Sequence, residues 1–288
     1  MNILVTGANG QLGHECRTLS LQYPSANFIF TDMDELSISD ETAVNAIFKS
    51  NHFHYCINAA AYTAVDLAET HQEISRLVNA TAVGYLAKAC ATYGCRLIHI
   101  STDYVFDGEK AAGYQPHDPT GPINVYGATK LEGEQLAMQY APDSIIIRTS
   151  WVYSFHGKNF VKTMMKLMQE RSEISVVSDQ TGRPTYAADL AACVFHIIFN
   201  CVTPQGGLYH FANEGVVNWF EFAMAIKEIG GYDCIIHPIP SSAYPVPAKR
   251  PRYSILNTQQ TCTTFGLIIP DWKSSLIKCM QLLQASTH

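Results

Sequence analysis

The chain has 288 residues, 47% of them hydrophobic and 15% charged, with a formal net charge of −6. That length supports one large domain or two smaller ones, and that composition belongs to a globular chain rather than a disordered one. The acidic balance gives no electrostatic case for nucleic acid or an anionic membrane.

The first element is predicted at the N-terminus, where Met1 to Thr6 reads as a short buried strand. Gly7-Ala8-Asn9-Gly10-Gln11-Leu12-Gly13 follows, and then a helix through about Gln22. The spacing is G-x-x-G-x-x-G, in which glycine permits a tight turn and close backbone approach to a pyrophosphate, whose charge meets the helix N-terminus. It departs from the G-x-G-x-x-G fingerprint because Asn9 separates Ala8 from Gly10. A glycine-rich turn without a ligand is the plain alternative.

Asn27 to Thr31 reads as a second strand, with Asp32 at its end, nineteen residues beyond Gly13. A carboxylate there accepts hydrogen bonds from an adenosine ribose and repels a 2′-phosphate, and no Lys or Arg lies between Arg17 and Lys49 to offset it. Charge therefore favours NADH over NADPH, unless Asp32 merely caps the following turn.

Tyr55 to Asn58 is predicted as a third strand, His71 to Tyr93 as one long helix ending at Gly94, and Arg96 to Ser101 as a buried strand. Next comes a helix carrying Tyr126 and Lys130, then a strand over Ser144 to Thr149. Residues four apart share a helix face, so a lysine ammonium lies near a phenol, with Thr102 upstream on a strand end. A tyrosine titrates near ~10, and a cation at ~4 Å with an effective dielectric of ~20 favours the phenolate by ~4 kcal/mol, about three units. The spacing thus predicts a Tyr126 that exchanges protons near neutral pH. Taken alone, Tyr-x-x-x-Lys also arises by chance on helix surfaces.

Past Trp151 the alternation loosens: helices are predicted over Asn159 to Arg171, Ala188 to Asn200, Trp219 to Ile229 and Trp272 to Leu283. Strand-like pieces fall at Ile174 to Val177 and Leu208 to Ala212, and the proline-rich His237 to Pro251 reads as a loop. The predicted fold is α/β: a doubly wound parallel sheet over 1–150, a Rossmann domain, and a smaller mixed α/β substrate lobe over 151–288, with segments crossing back.

Nine scattered cysteines include no C-x-x-C and no paired Cys/His spacing for zinc, so reduced, packed thiols and no structural metal are expected, with His52 and His54 read as turn residues. No transmembrane stretch or secretory leader pattern is present, which makes the cytoplasm the expected location.

These motifs resemble the extended short-chain dehydrogenase/reductase superfamily, and the chain is similar along nearly its whole length to its dTDP-4-dehydrorhamnose reductase family. The matching segments are Gly7 to Gly13, Asn58 to Glu69, Ser101 to Gly108, Pro122 to Lys130, Arg148 to Tyr153, Asp179 to Thr185, Gly207 to Phe211 and Ala243 to Pro251. The resemblance implies reduction of the C4 keto group of dTDP-4-dehydro-L-rhamnose with NADPH or NADH. It makes Tyr126 the proton donor, Lys130 the partner that holds the nicotinamide ribose and tunes Tyr126, and Thr102 a hydrogen-bond partner of the same carbonyl oxygen. It implies cofactor contacts at Gly7, Asn9, Gly10, Gln11, Leu12, Asp32, Ala59, Ala60, Ala61, Tyr126 and Lys130. On the nucleotide-sugar side it implies Val65, Asp66, Thr102, Asp103, Tyr104 and Trp151, the aromatic faces suiting a deoxyhexose. Arg183 and Arg250 are candidate diphosphate partners because guanidinium meets phosphate bidentately.

Two sister activities fit less well. Nucleotide-sugar dehydratases carry T-D-E where this chain has Thr102-Asp103-Tyr104, losing an acid/base group; epimerases share the Tyr-Lys pair, so Trp151 and the Arg-Pro segment favour a reductase. Ser37 stands where many relatives carry an aspartate near the adenine, and Ala188 where some carry a glutamate for magnesium at a dimer interface, so a homodimer stays open and that metal is not expected. The alternative of a different class is a non-catalytic regulatory subunit resembling the methionine adenosyltransferase beta subunit.

Overall fold

In the computed structural model residues 1–285 are described. The first half alternates β1 (Asn2–Thr6), α1 (Gln11–Ser20), β2 (Asn27–Thr31), α2 (Glu41–Asn51), β3 (Tyr55–Asn58), α3 (Val65–Ala68), α4 (Gln72–Arg76), α5 (Ala82–Tyr93), β4 (Arg96–Thr102), α6 (Val125–Tyr140) and β5 (Ile145–Thr149). The second half runs β6 (Val152–Tyr153), α7 (Phe160–Glu170), β7 (Glu173–Val177), β8 (Thr181–Gly182), β9 (Thr185–Tyr186), α8 (Ala187–Asn200), β10 (Gly207–His210), β11 (Val217–Asn218), α9 (Trp219–Gly230), β12 (Ile235–Ile239), β13 (Tyr253–Ser254), α10 (Gln259–Phe265) and α11 (Trp272–Ala285).

The main sheet is parallel, in the order β10-β5-β4-β3-β1-β2. The doubly wound Rossmann expectation is met, and β1 and β3 flank its switch point. Side chains alternate across the sheet because strand periodicity is two. Ile3, Val5, Ile57, Ile98 and Ile147 pack on one face with Leu190, Val194 and Ile197 of α8. Leu4, Cys56, Leu97 and Ile146 pack on the other with Val44 and Phe48 of α2 and Leu86 and Cys90 of α5. Burial on both faces explains the unbroken apolar runs in these strands.

A separate core around Val161, Phe222, Ile226, Leu276 and Met280 holds the other lobe together. The chain does not divide cleanly at residue 150, because α8 covers one face of the main sheet and β10 pairs in parallel with β5.

Three local readings are corrected. The helix expected from His71 to Tyr93 contains a π turn at Leu77–Thr81. There Asn79 accepts from the Tyr62 N–H at 2.8 Å and donates to the Tyr62 carbonyl at 3.1 Å and Thr129 Oγ1 at 3.2 Å, interactions that accompany the widened turn. The stretch from His237 begins as strand, since β12 pairs with β7 and Pro238 is tolerated in a two-stranded ribbon. Glu41–Asn51, capped by the Asp40 carboxylate, and Gln259–Phe265 form helices that the periodicity did not single out.

Candidate active site

The cleft at the switch point has a volume of about 760 Å³. Gly7, Asn9, Gly10, Gln11, Leu12, Asp32, Ala59, Ala60, Ala61, Tyr126 and Lys130 all line it. Gly7 sits at φ +68°, and a β-carbon there would lie 2.6 Å from Ala60 N, so the turn after β1 and the end of β3 approach each other only without a side chain. Gly10 is the N-cap of α1 and supplies no side-chain cap, whereas Asp40, Asn124, Asn159 and Asn218 cap α2, α6, α7 and α9. The first N–H groups of α1 are left for another acceptor, which fits a cofactor pyrophosphate. Asp32 accepts from Asn9 N and Met33 N, both at 2.9 Å, so it holds the loop as well as lining the cleft.

Asn124 caps α6 through the Gly127 N–H at 2.8 Å and donates to the Lys249 carbonyl at 2.8 Å. This seats the first turn of α6 beside the end of β4. Thr102 Oγ1 donates to Asp103 Oδ1 at 2.9 Å, accepts from Tyr104 N at 3.2 Å and also reaches the Tyr126 hydroxyl. Its single proton serves Asp103 or Tyr126, one at a time. Tyr104 meets the Tyr126 ring edge-on, with centroids 5.6 Å apart.

The electrostatic expectation for the pair is overturned. Burial pushes the Tyr126 phenol up to about 12, the Thr102 hydrogen bond opposes this, and Asp103 adds to it. Burial drops Lys130 to about 8 against the pull of Glu134. Lys130 Nζ donates to the Ile100 carbonyl at 2.6 Å and lies 3.5 Å from His99 Nε2. Desolvation dominates, and Tyr126 is a protonated donor rather than a group poised near neutrality.

The residues expected on the sugar side lie outside the lining of this cleft: Val65 begins α3, and Asp66 Oδ2 accepts from Arg250 Nη2 at 2.7 Å while Oδ1 accepts from Ala248 N at 3.2 Å. Arg250 Nη1 is buried and makes no hydrogen bond among the described residues. Asp103 is buried behind Thr102, and desolvation raises its carboxyl to about 7. Trp151 has φ +50°, uncommon for a bulky residue, and stacks on Trp219 with centroids 3.6 Å apart. Arg183 is a correction: its buried guanidinium is committed to the carbonyls of Leu256 and Gly215, to Thr258 and to Glu214, so it ties loops together.

The family model described as the RmlD substrate binding domain matches residues 1–285. The chain belongs to the RmlD substrate-binding-domain family. It is 39% identical to the dTDP-4-dehydrorhamnose reductase of Escherichia coli K12 over 100% of this chain and 99% of that one. Among solved RmlD-family structures, a dTDP-4-dehydrorhamnose reductase from Clostridium acetobutylicum matches at 40% identity with TM-score 0.95, covering 99% of this chain and 100% of that one. The Bacillus anthracis dTDP-4-dehydrorhamnose reductase in complex with NADP matches at 36% identity with TM-score 0.93, covering 97% and 98%.

Several residues of this RmlD-family site escaped the sequence reading. Glu134 and Arg148 form a buried ion pair at 2.6 Å, and Ser101 donates to the same carboxylate. His99 lies under Lys130, and Trp219 backs Trp151. A histidine and an arginine inside apolar strand runs were the available signal, since such groups are rarely buried without a partner.

Proposed function

We propose that the chain reduces the C4 keto group of dTDP-4-dehydro-L-rhamnose to the alcohol of dTDP-L-rhamnose, using NADPH or NADH. The observation that carries it is Tyr126, hydrogen-bonded by Thr102, lining with Lys130 a cleft whose loop and uncapped helix suit a dinucleotide. Full-length similarity to dTDP-4-dehydrorhamnose reductases supports the substrate class.

The reduced nicotinamide, when bound, supplies the hydride. Tyr126 gives its hydroxyl proton to the sugar oxygen as negative charge develops there, which a phenol held near 12 can do without being ionised beforehand. Thr102 holds the same oxygen and fixes the carbonyl plane. Lys130 and the wall at Ala59, Ala60 and Ala61 hold the cofactor ribose side, and Gly7, Asn9, Gly10, Gln11 and Leu12 receive the pyrophosphate, with Asp32 toward the adenosine.

Val65, Tyr104 and Trp151 offer apolar surface to the deoxysugar. Asp66 positions Arg250, whose free Nη1 offers a donor to the diphosphate. Asp103 acts through Thr102 instead of touching sugar. The division of labour assigns 1–150 mainly to cofactor and 151–288 mainly to substrate.

No helix among the described residues is long and apolar enough to cross a membrane, and the cysteines are free. A cytoplasmic location accords with reduced thiols; monomer and homodimer are separated by sedimentation. The deciding experiment follows NAD(P)H absorbance against a panel of nucleotide-linked 4-ketosugars. Oxidation with dTDP-4-dehydro-L-rhamnose is expected, whereas cofactor binding without turnover on any member would favour the regulatory reading.

A further inference from the structure

We propose that His99 is a positioning residue for this reduction: Asn58 holds it as the Nε2–H tautomer, and it turns that N–H toward Lys130 Nζ, opposing a proton on the lysine. The inference rests on the reductase reading for its catalytic meaning, but the tautomer itself does not depend on any substrate.

The orientation of the Asn58 amide is fixed by a donor that cannot be reversed. The backbone N–H of Ala60 donates to Asn58 Oδ1 at 3.2 Å, and Thr6 Oγ1 donates to the same oxygen at 2.7 Å. An amide turned the other way would aim its NH₂ at the Ala60 N–H, leaving a backbone donor facing a donor. Asn58 therefore presents Nδ2 to His99, and His99 Nδ1, 3.0 Å away, must accept. His99 is fully buried, and desolvation, reinforced by Lys130, holds its ring well below the ordinary histidine range, so it is neutral. A neutral ring that accepts at Nδ1 carries its one proton on Nε2. That nitrogen lies 3.5 Å from Lys130 Nζ.

An ammonium at Lys130 would point positive charge at an N–H, whereas an amine offers a lone pair to it and still donates to the Ile100 carbonyl. The other groups around the lysine leave this contact unanswered. On α6, Glu134 favours the ammonium, but both of its oxygens are held by Arg148 from β5, at 2.8 and 2.6 Å. Ser101 of β4 adds a further hydrogen bond to that carboxylate. Tyr126 on the same helix is protonated, and Asp103 bears on Tyr126 and Tyr104 from the turn after β4. The helices behind α6 contribute the neutral hydroxyl and amide of Ser75 and Asn79, which bond Thr129. Burial already lowers Lys130 to about 8 against Glu134, and the His99 N–H acts in the same direction.

Nuclear magnetic resonance on ¹⁵N-histidine-labelled full-length protein without ligands tests the tautomer, with His99 assigned by its loss in His99→Asn. The expected pattern has the proton on Nε2 and a bare Nδ1; an Nδ1–H or doubly protonated ring overturns the proposal. The second measurement titrates Lys130 by ¹³Cε resonance, in wild type and in His99→Asn, which keeps an oxygen for Asn58 but removes the ring edge facing the lysine. Its pKa, and the alkaline limb of kcat/KM, should rise by about one unit on losing the opposed N–H. A fall in kcat with neither value moved would make His99 a packing residue only. Failure of the 4-ketosugar assay, with the tautomer and the lysine shift intact, would count against the reductase reading instead.

Discussion

Gly127 of α6 rests against the carbonyl of Tyr104 so closely that a β-carbon on it would collide with that oxygen. The contact fixes how far the helix bearing Tyr126 descends onto the turn bearing Thr102, and Asn124 locks the same turn from the capping side. The Thr102 and Tyr126 hydroxyls therefore meet through backbone packing.

Replacing Gly127 with alanine should force α6 away from that turn. Overpacking a tight contact costs about 1–3 kcal/mol. The variant should show a lower melting temperature and a kcat reduced at least tenfold, because the Tyr126 hydroxyl moves with its helix. A variant with wild-type melting and kcat would show that the backbone adjusts at no cost.

Tyr126→Phe keeps the ring against Tyr104 but deletes the donated proton. General acid catalysis is worth ~10²–10⁴-fold, so kcat should fall within that range while the dissociation constant for NADPH stays near that of the unaltered protein. Near-normal turnover would mean that another group delivers the proton.

What was legible in the residues follows from what each pattern encodes. Buried parallel strands are continuous apolar runs, and helix stops carry glycine, so β1 to β5 and the end of α5 at Gly94 could be placed from sequence. The cleft wall was legible because glycine spacing and the strand-end carboxylate report backbone geometry directly. The protonation of Tyr126 and Lys130 was not, because pair spacing says nothing of burial, the largest cause of both shifts, nor that Lys130 Nζ turns to the Ile100 carbonyl. Arg183 looked like a ligand for phosphate because its acceptors at Gly215, Leu256 and Thr258 are far away in sequence. The π turn at Leu77–Thr81 also escaped, since its accompanying contacts join Asn79 to Tyr62 and Thr129 across the fold.

Asp103 makes stability depend on pH. Its folded carboxyl is raised from 3.8 to about 7 by burial, so between about 4 and 7 the folded chain keeps a proton that the unfolded chain has released. Its contribution is full below about 4 and is lost as pH rises through 7. Asp103→Asn removes this titration while keeping an acceptor for Thr102, so its stability relative to the parent should climb by on the order of 3 kcal/mol between pH 5 and 8. Urea unfolding at both pH values measures this; a difference independent of pH would show that Asp103 titrates normally.

Asp32→Ala should move cofactor preference toward NADPH by relieving repulsion at the 2′ position. The structure adds a cost, because Asn9 N loses its acceptor, and affinity for both cofactors should fall severalfold as the loop loosens. The readout is the ratio of kcat/KM for NADPH to that for NADH in both proteins. An unchanged ratio would leave Asp32 with the loop-holding role alone.

Trp151→Ala should raise KM for the nucleotide sugar while the dissociation constant for NADPH stays close to that of the parent. Trp151 lies two residues past β5, at the carboxyl edge where doubly wound sheets hold ligands, and its backbone has a positive φ. An aromatic face contributes on the order of 1 kcal/mol beyond area burial, roughly fivefold in binding. Trp219 stacks on Trp151 at an interplanar angle of 11° and packs against Phe160, so it holds the first indole within the same lobe. Trp219→Ala should therefore raise KM in the same sense through a freed Trp151, and the double variant should lose less than the sum of the two. Equal losses of cofactor and sugar affinity with a lowered melting temperature would identify the tryptophan pair as core of the second lobe, and would remove Trp151 from the proposed sugar site.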